Sequence, residues 1–252
     1  MKQKFLQLLY LSLLALFPIY ASAIPDRYPT VDEATATFIN HDGEEEQIEV
    51  GGTYDAPLTV TFAANPVDTI GYEVLYEWTI EQVKDNVTTL LAKRNEETTV
   101  YTFNKGGVDV SYRISLAITY RHRETGIEGE GEASPITFVL RGSSLEMYNA
   151  FSPNGDGTND VYRVKTQSLL SFRMKIFNRW GQEIVSGDHT TLTAEYQDNY
   201  TYYVCWDGTY HGSRVEDGVY FILIEAEGAD GIKYVRRGDI NILTRSRKEG
   251  NP

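Results

Sequence analysis

Four oxygen-bearing side chains stand at alternate positions in one short stretch: Asn154, Asp156, Thr158 and Asp160, interleaved with Gly155, Gly157 and Asn159. Oxygen ligands in a glycine-rich turn suit a hard cation such as calcium. The stretch departs from an EF-hand loop, however. Asn159 stands where that loop reserves a glycine, and Lys165 occupies its twelfth position, where a bidentate glutamate is needed. The competing account is an Asx-type turn, in which Asn and Asp side chains tie down their own backbone. The mismatch favours the turn, so no cofactor is expected, with calcium on Asn154, Asp156, Thr158 and Asp160 as the alternative.

Other residues capable of chemistry are scattered. The four histidines, His41, His122, His189 and His211, sit at no metal-ligand spacing, and neither a Gly-x-Ser-x-Gly elbow nor a strand-to-helix phosphate loop occurs. His211, beside the Trp206-Asp207-Gly208 turn, has no partner at a defined spacing for acid–base work and reads as a surface loop residue. Cys205, the single cysteine, lies in the apolar run Tyr202–Trp206 and reads as a small buried hydrophobe. Arg237-Gly238-Asp239 spells an integrin-recognition tripeptide, yet it falls inside an expected strand, where recognition at a loop tip is excluded. Its arginines belong instead with Lys233, Arg236, Arg245, Arg247 and Lys248 in a basic patch suited to an acidic partner. The chain reads as non-enzymatic.

The elements around these residues alternate with the period of strands, and no long stretch carries helical spacing, which predicts an all-β chain. Leu58, Val60 and Phe62 share one face of a strand that stops at Asn65-Pro66. Tyr72, Val74, Tyr76, Trp78 and Ile80 share a face of the next, with Trp78 as core anchor. Strands 97–103 and 108–120 flank a turn at Asn104-Lys105-Gly106-Gly107, and 136–140 closes the unit. The Glu44-Glu45-Glu46 run reads as a solvated loop. Beyond Ser143, strands are expected at 161–164, 172–177, 219–226 and 232–243, the last two joined by a hairpin at Gly228-Ala229-Asp230-Gly231. Exposed loops should carry Asn154 to Asp160, Gly181 and Asp207-Gly208. Trp180 and Trp206 are expected as core pillars, since aromatic side chains dominate cores.

The chain's beginning predicts export. Lys2 and Lys4 precede a largely apolar stretch from Leu6 to Tyr20 that Pro18 interrupts, and Ala21-Ser22-Ala23 offers small residues for signal peptidase. The expected organisation is a signal peptide at 1–23, one β-sandwich at 24–142 and a second at 143–252, with no transmembrane segment after signal cleavage. A single cysteine leaves packing, not disulfides, to hold each unit. Charge divides the halves: 21 acidic against 9 basic residues in 24–142, a balance of −12, and 15 against 12 in 143–252, a balance of −3. The acidic first half repels phosphate backbones and anionic lipid, so nucleic acid is excluded as a partner.

The second half carries a more specific signature. Asn149-Ala150-Phe151-Ser152-Pro153-Asn154-Gly155-Asp156-Gly157-Thr158-Asn159-Asp160 opens it. Then come Asn178-Arg179-Trp180-Gly181, Trp206-Asp207-Gly208, Asp217-Gly218-Val219-Tyr220 and Arg237-Gly238-Asp239. Together they closely resemble the gliding-motility-associated C-terminal domain, the type B sorting domain of the Bacteroidetes type IX secretion system. The first half is similar, more diffusely, to PKD-type immunoglobulin-like modules. The resemblance implies a sorting motif made of Phe151, Pro153, Asn154, Gly155, Asp156, Gly157, Asn159, Asp160, Asn178, Arg179, Trp180, Gly181, Trp206, Asp207, Gly208, Gly218, Tyr220 and Gly238. It further implies passage through the periplasm and the type IX translocon to the outer-membrane surface or the medium, with lipopolysaccharide attachment among the fates of related cargo. Three roles follow: a surface protein whose first module binds or spaces, an envelope signalling component of the secretion system, or a glycan-binding adhesin.

Overall fold

The structure is a computed structural model that describes residues 27–244. The expected signal peptide, with cleavage after Ala23, lies outside the described residues, as do Arg245, Arg247 and Lys248. Among the described residues every named element is a strand, and no helix is long and apolar enough to cross a membrane.

The first ten strands are β1 (Thr35–Ile39), β2 (Glu45–Gln47), β3 (Gly52–Tyr54), β4 (Leu58–Ala63) and β5 (Tyr72–Lys84), then β6 (Val87–Arg94), β7 (Thr98–Phe103), β8 (Val110–His122), β9 (Glu128–Glu132) and β10 (Ile136–Leu140). They form a sheet ordered β2-β1-β4-β7 and a facing sheet ordered β3-β10-β8-β5-β6, with β9 also alongside β8. The alternation expected in β4 is seen: Leu58, Val60 and Phe62 are buried and Thr59 is exposed. Between the sheets Phe62 meets Trp78 at 5.7 Å and Phe103 meets Phe138 at 5.0 Å, ring centre to ring centre. Burying each such phenylalanine contributes roughly 1.5–3 kcal/mol. The Trp78 indole N–H donates to the Glu96 carbonyl at 3.0 Å, so the core anchor leaves no orphan donor.

One expectation is corrected here, and one strand is added. Glu45 and Glu46 are not in a loop but in β2, an edge strand whose backbone pairs with β1 while all three side chains face water. The stretch 87–94, unread as structure, is the edge strand β6, turned back on β5 by Asp85 and Asn86 at φ 51° and 62°. Two successive left-handed residues are what a tight hairpin between twisted strands demands.

The remaining strands are β11 (Ser144–Met147), β12 (Ala150–Phe151), β13 (Tyr162–Gln167), β14 (Leu169–Phe177), β15 (Glu183–Asp188) and β16 (Thr193–Gln197). They are followed by β17 (Tyr200–Trp206), β18 (Thr209–Tyr210), β19 (Ser213–Arg214), β20 (Gly218–Gly228) and β21 (Lys233–Ile242). Sheet β11-β13-β17-β16 faces sheet β12-β21-β20-β14-β15 across a core that includes Tyr162, Phe172, Met174, Ile224 and Ile240. Each sandwich repeats one device: a short early strand lies parallel to the last, β3 against β10 and β12 against β21. Sheet membership changes between Leu140 and Ser144. The described residues, 27–244, are therefore all-β, two immunoglobulin-like sandwiches in tandem.

Candidate functional site

The ends of β12, β14, β17 and β21 and the starts of β13 and β20 bring separate sequence blocks to one end of the second sandwich. An aromatic cluster fastens them from below. Phe151 lies 5.9 Å from Tyr162 and 5.5 Å from Trp206, and Trp206 lies 4.8 Å from Tyr220. Polar atoms of these rings are used: the Trp206 N–H donates to the Thr209 carbonyl at 2.8 Å and the Tyr220 hydroxyl to the Glu216 carbonyl at 3.0 Å. Gly208, at φ +78°, packs so closely on Pro153 that an added Cβ would stand 2.8 Å from its Cγ. Backbone angle and proximity both demand glycine there.

Three loops rest on this cluster. In the first, Asp160 accepts the Gly155 N–H at 2.6 Å and the Gly157 N–H at 2.7 Å through its two carboxylate oxygens. Asn154 Oδ1 accepts the Asp156 N–H at 2.9 Å, and Asp156 Oδ1 accepts the Thr158 N–H at 2.8 Å. The Asn154, Asp156 and Asp160 oxygens proposed as cation ligands are thus engaged with their own backbone, the geometry of consecutive Asx turns. The Gly155 and Gly157 amides, aided by the Arg214 charge, hold the Asp160 carboxyl below the ordinary carboxylate range. Among the described residues no group of three or more His, Cys, Asp or Glu side chains is placed to hold a metal.

In the second loop, Asn178 Oδ1 accepts the N–H groups of Trp180 and Gln182 at 2.9 and 3.1 Å. The third contains the two-stranded β18–β19 hairpin, where Asp207 Oδ1 accepts both the amide and the hydroxyl of Thr209. Gln182 Nε2 donates to the Tyr210 hydroxyl at 3.1 Å and so links the second loop to the third.

Here one expectation fails. Trp206 is a buried pillar, at 4% exposure, but Trp180 is 82% exposed. It sits in the turn between β14 and β15, where the Asn178 side chain fixes its amide and the ring projects to solvent with the Arg179 guanidinium 5.7 Å from its centre. Of the remaining motif residues, Asn159 closes the first loop, its carbonyl accepting the Ser152 N–H, and Gly181 is exposed beside Trp180. Gly218 opens β20 opposite Ile242. Gly238 lies away from the loops, in mid-strand opposite Ile222, where an added Cβ would stand 2.9 Å from Met147. The Arg237-Gly238-Asp239 tripeptide is in β21, as expected. His211 is exposed and packs on Tyr210. Cys205 is buried, which pushes its thiol up to about 12 and leaves it unreactive. Sequence reasoning missed Tyr210, Gln182 and Arg214, whose roles depend on contacts across loops.

This arrangement has the makings of a recognition surface. Loops tied internally lose little freedom on binding, and an exposed Trp–Arg pair is the side-chain type that anchors interfaces.

Residues 145–242 match the family model of the CHU_C type IX secretion signal domain. No curated protein matches the chain. Among solved structures, a tetra-tandem repeat from the extending region of a large adhesion protein is similar at 13% identity, over 84% of this chain and 67% of that one, with a TM-score of 0.27. The chicken CNTN1 FN1–FN3 domains show 10% identity over 83% and 76%, at 0.27. The C-terminal domain of the Streptococcus agalactiae AgI/II polypeptide BspA shows 9% over 85% and 100%, at 0.23. At those scores the sheet topology itself remains the ground for the fold class.

Proposed function

We propose that the C-terminal unit, Ser143 to Pro252, is the signal that sends this protein through the type IX secretion system, and that the loop end described above is the face the export machinery reads. The match over residues 145–242 carries this reading. The convergence of Phe151-Pro153, Asn154–Asp160, Asn178–Gly181 and Trp206-Asp207-Gly208 on one end supports the choice of face. Trp180 and Arg179 supply its anchor, and the aromatic cluster with Gly208 holds the loops in register. The first sandwich is carried along as a binding or spacer module, and the whole acts without catalysis at the cell surface or in the medium.

Cell fractionation of the full-length protein against a chain ending at Gly142 tests the assignment. The full chain is expected outside the cell and the truncated one in the periplasm. Equal export of both would remove the signal role. A Trp180→Ala chain that still leaves the cell at the full-length rate would move the reading face elsewhere.

A further inference from the structure

The opposite end of the second sandwich is not free. The tip of the β20–β21 hairpin, Gly228–Gly231, enters the base of the first sandwich, and Ala229 is buried, at 5% exposure, as a member of the first unit's core with Val110, Leu140 and Ala56. The Ala229 carbonyl accepts the Gly106 N–H at 3.2 Å, and the Ala229 N–H donates to the Ser168 carbonyl at 2.9 Å. Ser168 also reaches across, its hydroxyl oxygen accepting the buried Ala56 N–H at 3.2 Å. Asp230 fixes the crossing chain itself: its carboxylate accepts the Ser143 amide at 2.7 Å and the Ser143 hydroxyl at 2.6 Å. Burial pushes that carboxyl up, but the Ser143 and Ile232 donors outweigh it, and its pKa lies below the ordinary value. The other sheet contributes a separate contact, Tyr196 of β16 stacked on His41 of the β1–β2 turn at 3.8 Å. Tyr196 also lies against Asp55, which Arg141 engages at 3.1 Å.

Contacts from both sheets of one sandwich to the other oppose bending and twisting together. A backbone crossing whose Arg141 and Ser143 amides are both hydrogen-bonded also lacks the slack that a protease needs. The Arg141 N–H donates to the Tyr54 carbonyl at 2.9 Å, and an added Cβ on Gly142 would stand 3.3 Å from Asp230 Oδ2. We propose that the first sandwich is the built-in seat of the signal unit: the hairpin tip locks into it, the two sandwiches move as one body, and the Arg141–Ser143 crossing is closed to proteases. A processing enzyme acting on the folded chain then leaves the C-terminal unit attached. This inference stands apart from the export reading, since it concerns only how the two sandwiches are joined.

Limited trypsin digestion of the full chain, followed by mass spectrometry, tests it. The bond after Arg141 should be cut at least about tenfold more slowly than the bond after Arg123, which lies in an exposed turn. Asp230→Ala should speed the first cut about tenfold and leave the second unchanged. If both cuts speed up alike, the variant has unfolded globally and the milder Ser143→Ala takes its place. For that variant, selective acceleration after Arg141 supports the latch and an unchanged rate overturns it. Equal wild-type rates at the two bonds overturn the proposal, as do residual dipolar couplings that report different alignment tensors for the two sandwiches.

Discussion

Trp180 and Trp206 carry the same side chain and opposite duties, which gives a direct test of what each holds. Trp206→Ala should destabilise the second sandwich by about 3–5 kcal/mol, because a cavity opens between Phe151 and Tyr220. Trp180→Ala should change the unfolding free energy from urea titration by no more than about 0.5 kcal/mol while reducing export. Gly208→Ala should cost about 1–3 kcal/mol, since it forces φ +78° on a residue with a Cβ and drives that atom against Pro153. The first loop should respond to acid. The Asp160 carboxyl titrates lower in the folded state than the unfolded value of about 3.9, so its contribution is whole above that pH and is lost as pH falls through the depressed folded value. Protection of the Gly155 and Gly157 amides against exchange, relative to the free-peptide rate at the same pH, should fall in that window, and Asp160→Asn should lower it already at pH 7. The sequence made the Asx turns legible because spacing alone sets them. It did not separate the two tryptophans, because burial depends on whether a residue falls in a strand or a turn.

Among the elements, the hairpins show what the residue pattern reveals and what a narrow search misses. The β20–β21 turn was legible from Gly228 to Gly231 because glycine advertises unusual backbone angles. Asp85-Asn86 and Asp198-Asn199 do the same work without glycine: each dipeptide joins strands paired up to its flanks, with φ of 51° and 62° in one and 52° and 64° in the other. Asn and Asp tolerate the left-handed region better than other side chains. Asn86→Val and Asn199→Val should each lower stability by about 1–2 kcal/mol in denaturant titration, whereas the glycine variants should be neutral or better. Strands β5, β8, β14 and β20 were readable from alternation, but β2, β6 and β16 were not. Those three are edge strands with polar or mixed exposure, so no buried face imposes a period-two pattern on their sequence.

Taken whole, the molecule is a pair of sandwiches whose separate cores were readable and whose joint was not. The turn residues Gly106-Gly107 and the hairpin tip Gly228–Gly231 looked like two independent surface reversals, yet each is shaped to receive the other unit. Contacts between segments more than a hundred residues apart leave no periodic trace in a sequence. Calorimetry of the full chain should therefore give one cooperative transition, and Asp230→Ala should split it in two.

Strand β20 runs eleven residues, roughly 35 Å, from the aromatic-backed loops to the socket that takes Ala229. That span works as an insulating handle. A passenger gripping the far tip can neither shade nor touch the display at the opposite end, so exchanging the passenger while keeping the socket should leave the address unaltered.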